Sequence, residues 1–203
     1  MLEYAFLTFG SLFAIVDPFA AVPAFLAMTP RDTPEARRRM ARTACLTCGA
    51  VMIAFAAAGP AIFRLFGITL PAFEIAGGLI LLLAALDMLR AKRSSLNETA
   101  EETEEGINKD DIAITPLAIP MLAGPGAITT AIVLSGHAGT WGRRIVFYAS
   151  IIAVSALSYA ILTAAASGAR RLTPTVLNIM TRLMGLLLAA IGVQFILTAL
   201  NLR

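Results

Sequence analysis

IAITPLAIPMLAGPGAITTAIVLSG, residues 112–136, decides how this chain folds. The stretch carries no charged side chain and is long enough to cross a hydrocarbon core about 30 Å thick. A soluble helix shows one polar face to water, whereas this one is apolar all round. At its centre stands Gly124-Pro125-Gly126, a run that breaks helices. It therefore reads as a membrane span with an irregular middle.

The rest of the chain repeats that reading. Residues 43–63, 145–169 and 183–202 carry no charge, and between Glu3 and Arg31 the one charge is Asp17. Six spans are expected, at 4–28, 43–63, 69–89, 112–136, 145–167 and 176–201, the third interrupted by Glu74 and Asp87. Composition agrees: 58% of the 203 residues are hydrophobic and 14% charged, against about 45–50% and about 25% in soluble domains. Mean hydropathy is +0.80. The expected fold is an all-α membrane protein, with no room for a soluble enzyme domain and no nucleic-acid partner. Glu3 stands where a signal peptide would be cationic, so none is expected.

Eleven Lys and Arg residues follow spans 1, 3 and 5, including Arg37, Arg38, Arg39, Arg42, Arg90 and Lys92, whereas Arg64, Arg143, Arg144 and Arg203 lie on the other side. Positive charge stays cytoplasmic, so both termini are expected outside. The polar stretch 90–111, with Glu98, Glu101, Glu102, Glu104 and Glu105, reads as a cytoplasmic linker between residues 1–89 and 112–203.

Those two halves share a rhythm. Asp17-Pro18 recurs as Gly124-Pro125 after 107 residues, Ala56–Ala58 as Ala164–Ala166 after 108, and Leu81–Ala85 at 186–190 after 105. Three spans per half make the second half enter the membrane from the opposite side, which gives an inverted repeat of two three-helix units. Positions 17 and 124 are the midpoints of spans 1 and 4, so both spans are expected to break at the midplane. Irregular backbone at that depth survives where it is buried in protein or lines a watery cavity. The helix starts that follow would face each other, each offering free N–H groups and a positive dipole end to an anion. Val16, Asp17, Pro18, Phe19, Ala123, Gly124, Pro125, Gly126, Ala127, Thr129 and Thr130 are the expected substrate-binding residues. Asp17 could meet an ammonium group or carry a coupling proton, or it could simply cap the helix begun by Pro18. A zwitterionic amino acid suits both the cradle and the carboxylate.

Phe9-Gly10-Ser11-Leu12-Phe13-Ala14-Ile15-Val16-Asp17-Pro18-Phe19-Ala20-Ala21-Val22-Pro23-Ala24-Phe25-Leu26 resembles the opening motif of the MarC family. Ile114-Thr115-Pro116 through Leu122-Ala123-Gly124-Pro125-Gly126-Ala127-Ile128-Thr129-Thr130 is similar to that family's second motif. The resemblance covers essentially the whole chain. It implies a six-span protein of the bacterial inner membrane, grouped with neutral amino acid transporters. Phe19-Ala20 departs from the small residue and glycine usual there.

The expectation is thus a secondary transporter of a small neutral amino acid such as glycine or alanine, proton-coupled through Asp17. Access would alternate by relative movement of the two halves. No enzymatic activity, cofactor or metal is expected, and the chain alone does not decide homo-oligomer formation. Two rivals are a thiol oxidoreductase built on Cys45 and Cys48, which otherwise read as packing residues, and a multidrug exporter. His137 is peripheral, and Asp87 is expected to reach toward headgroups; the same route is open to Glu74 and Arg182, whose roles the sequence leaves undecided and whose starting positions on opposite sides disfavour a direct pair.

Overall fold

The computed structural model describes residues 1–29, 32–90, 113–168 and 174–200. The acidic linker lies outside these, from residue 91 to residue 112, as do Arg31, Arg170 and Arg171. Among the described residues all regular structure is helical: α1 Leu2–Val16, α2 Pro18–Met28, α3 Pro34–Phe66, α4 Leu70–Leu89, an irregular segment Ala113–Leu122, α5 Pro125–His137, α6 Trp141–Gly168 and α7 Pro174–Ala199. Five stretches are long and apolar enough to cross a membrane, and a sixth is counted if the 113–122 segment and α5 act as one span bent by 60°.

Local chemistry sets the ends. Thr33 caps α3 by accepting the Ala36 N–H at 3.2 Å, and Pro34 fills the first position, where its missing donor costs nothing. This cap makes the arginine-rich stretch 37–42 helical, so α3 begins nine residues before the apolar run expected to span. Gly67, in the left-handed region at φ 63°, ends it. Thr69 caps α4 in the same way through the Ala72 N–H at 3.3 Å.

Small residues bring the helices together. The closest seam joins α4 to α7. A Cβ on Gly78 would stand 2.6 Å from the Gly192 carbonyl oxygen, and one on Gly192 would stand 2.9 Å from that of Gly78. Gly185 repeats the approach against Met88 and Ala85. The small faces of spans 3 and 6 thus pack on each other, gaining dispersion contacts that bulkier side chains would prevent. Helix α3 lies on α6, α5 and the 113–122 segment; α1 lies on α6, α5 and α7; α2 touches α6, α7 and the 113–122 segment. Phe25, Met28, Met52, Leu81, Leu117 and Phe147 fill the core between them.

Candidate functional site

Two helix starts define the site. Helix α1 stops at Val16, and Asp17 takes a left-handed conformation (φ 35°, ψ 70°) before Pro18 opens α2. Asp17 is the one non-glycine residue with positive φ among the described residues. Aspartate tolerates this region better than most side chains because its short polar group bonds locally. Here Oδ1 accepts the Ala20 N–H at 3.3 Å, alongside the Asp17 carbonyl at 3.1 Å. The other oxygen, Oδ2, is buried without a hydrogen-bond partner. One carboxylate oxygen therefore caps α2, and the other is left available.

The second start is built differently. Gly124 precedes α5 with extended backbone and no side chain caps the helix; Pro125 fills the first position. The first-turn N–H groups of Gly126 and Ala127 thus belong to an uncapped positive dipole end. Upstream, Thr115 and Ile119 are extended, near φ −129°, each before a cis proline bond, to Pro116 and Pro120. The residue before proline is pushed out of the helical region, so Thr-Pro and Ile-Pro in the sequence are the signal for this irregularity. The expected break at Gly124 had not included it.

The two starts adjoin. A Cβ on Gly126 would stand 2.8 Å from Ile15 Cδ1 and 3.2 Å from Leu81 Cδ2, so α5 begins against the end of α1 and the middle of α4. Val16, Asp17, Pro18, Ala123, Gly124, Gly126, Ala127, Thr129 and Thr130 are all buried, and Pro125 is exposed. Thr130 Oγ1 has no partner, while the Thr129 methyl lies against Gly77 of α4. Phe19 is half-buried. Its ring meets Phe13 edge-on at 6.1 Å, extending the Phe9–Phe13 stack along α1.

Glu74, whose role the sequence leaves undecided, finds a partner in the structure. Instead of reaching outward it is buried, with Oε1 2.6 Å from Nε2 of the half-exposed His137 at the end of α5. Both residues sit at the same end of adjacent helices, a pairing that single-helix reasoning could not see. Arg182 stays exposed on α7. Cys45 and Cys48 are free and buried in the core, Cys48 Sγ 3.8 Å from Met52 Sδ, as packing residues would be.

Comparison with known proteins agrees with this architecture. The family model for MarC family integral membrane proteins matches residues 2–202. The UPF0056 membrane protein MJ1677 of Methanocaldococcus jannaschii is 38% identical over 98% of this chain and 97% of its own length. YvbG of Bacillus subtilis is 38% identical over 97% and 93%, and YhcE of Escherichia coli 33% identical over 95% and 90%. No solved structure matches.

Proposed function

The chain belongs to the MarC family of integral membrane proteins, and from that premise we propose that it is a secondary transporter of small neutral amino acids such as glycine or alanine. The observation that carries the reading is the meeting of an uncapped helix start with a half-satisfied carboxylate. The first-turn N–H groups at Gly126 and Ala127 suit a substrate carboxylate, and Asp17 Oδ2 suits an ammonium group or a coupling proton. Thr130 Oγ1 supplies a further unpaired polar atom from the same helix. Coupling to protons is favoured over sodium because an ionisable group stands at this point.

An inverted repeat with spans 1 and 4 broken at the midplane is part of the proposal. Exchanging the halves turns the α1–α6 contact into that of the 113–122 segment and α5 with α3, and the α1–α2 contact with α7 into that of α5 with α4. The α3–α6 and α4–α7 contacts map onto themselves. That correspondence supports the repeat. The cation asymmetry supports both termini outside, in a bacterial inner membrane.

Purified protein in liposomes, offered radiolabelled glycine and alanine under imposed proton and sodium gradients, tests the proposal. Proton-driven accumulation of either is expected. Folded protein that moves no neutral amino acid refutes it.

A further inference from the structure

A groove runs between α3 and α6 on the outer surface of the bundle, with a volume of about 590 Å³. Its walls are apolar for most of its length, formed by Leu46, Ala50 and Ile53 on α3 and Ile152 and Ala156 on α6. Gly49 deepens it, since a Cβ there would stand 2.7 Å from Ser155 Oγ. Apart from the Ser155 hydroxyl beside Gly49, polarity is concentrated at one end, and charge is confined to it. Arg42 closes the groove beside Tyr159, and one turn further Arg38 donates to Ser167 of α6 at 3.0 Å.

We propose that this groove holds one acyl chain of an anionic phospholipid whose phosphate sits on Arg42. Length supports the assignment. From Arg42 to Ile53 the groove covers about 16 Å of α3 at about 1.5 Å per residue, close to half of a hydrocarbon core about 30 Å thick. One leaflet's chain thus fits from headgroup level to midplane. Charge supports it too: Arg42 is exposed and makes no ion pair among the described residues, and it stands where a headgroup belongs. Positive charge on the cytoplasmic side places the lipid in the inner leaflet, where anionic headgroups meet basic residues between helices. An acidic protein segment could neutralise Arg42 but would not fill an apolar slot inside the bilayer.

The test uses the full chain in mild detergent, titrated with phosphatidylglycerol and with phosphatidylcholine of the same acyl chains and read by native mass spectrometry. Phosphatidylglycerol should bind at least about five-fold more tightly, the factor one basic residue supplies near an anionic headgroup. Arg42→Gln should erase the preference while leaving the weaker binding. Ala50→Trp, which fills the groove from an exposed position, should weaken both lipids. If Ala50→Trp does not fold, Leu46→Asn makes the exposed wall polar and should have the same effect. Equal binding of the two lipids, or binding unchanged by the variants, overturns the proposal. So does protection from thermal unfolding by inorganic phosphate equal to that by phosphatidylglycerol, which would mean a free anion site. A single cysteine at position 50, with Cys45 and Cys48 replaced by alanine, should stay uncrosslinked in native membranes. Efficient crosslinking there would assign the groove to a second copy and likewise overturn the lipid.

Discussion

Asp17→Asn separates the cap that the carboxylate provides from the proton coupling proposed for it. The cap needs only an oxygen acceptor at Oδ1, 3.3 Å from the Ala20 N–H, and a residue at ease at φ 35°. Asparagine supplies both, capping about as well as aspartate and tolerating the left-handed region. Its folding stability should stay within about 0.5 kcal/mol of the unaltered protein. Asp17→Gly removes the acceptor but relieves the backbone, and should cost only a few tenths of a kcal/mol beyond that. Asp17→Ala loses the cap, worth about 1 kcal/mol, and keeps the left-handed Cβ that Asp17 already carries, without the local hydrogen bond that offsets it. A loss of about 1–2 kcal/mol follows. Thermal unfolding in detergent should therefore rank Asn above Gly and Gly above Ala. Transport should rank differently: every variant lacking the carboxylate, Asn included, should lose proton-driven accumulation of glycine or alanine in liposomes. Exchange without a gradient survives best in the Asn form. If Asp17→Asn accumulates substrate as well as the unaltered protein, Asp17 is a cap alone and coupling lies elsewhere. If it unfolds as readily as Asp17→Ala, the cap geometry is misread.

Gly126→Val pushes side-chain atoms toward Ile15 Cδ1, 2.8 Å from the first added carbon, and screens the N–H groups of the α5 start; equilibrium binding of substrate should fall much further than the yield of folded protein, and unchanged affinity rules out the cradle. Gly78→Ala sets a methyl group 2.6 Å from the Gly192 carbonyl oxygen, which a rigid helix backbone cannot yield; a loss of about 1–3 kcal/mol is expected in unfolding measurements, and a neutral result would mean the α4–α7 approach is looser than described. A lone cysteine at Ser95, in a chain without Cys45 and Cys48, should resist an impermeant thiol reagent in intact cells and react once they are opened. Labelling in intact cells would invert the topology.

Much of the bundle could be read without coordinates because charge is so costly in lipid. Apart from the start of α3, the apolar runs mark the spans within a few residues, and Pro18 and Pro125 mark helix starts because their rings suit a first turn. The early start of α3 was also written in Thr33-Pro34-Glu35, but the dense arginines that follow read more strongly as loop. Two features were hidden for physical reasons. The extended backbone at Thr115 and Ile119 follows from prolines that were noticed only as part of a motif. The Glu74–His137 contact depends on how α4 and α5 are set side by side, which neither helix's periodicity contains. Phe19 is expected at the site because of its neighbours in sequence, and its ring contact with Phe13 is a further feature that no single helix's periodicity contains.

The seam at Gly78 and Gly192 also bears on how the proposed transporter would move. Helix α4 comes from the first half of the chain and α7 from the second, and their backbones touch across these glycines. Rocking one half against the other would prise this contact open and leave two bare stripes of glycine facing lipid. If the chain transports as proposed, the pair would act as a single girder. In the proposed transporter, motion that opens the site first to one side and then to the other would then fall to the interrupted elements, α1–α2 and the 113–122 segment with α5, hinging at Asp17 and Gly124.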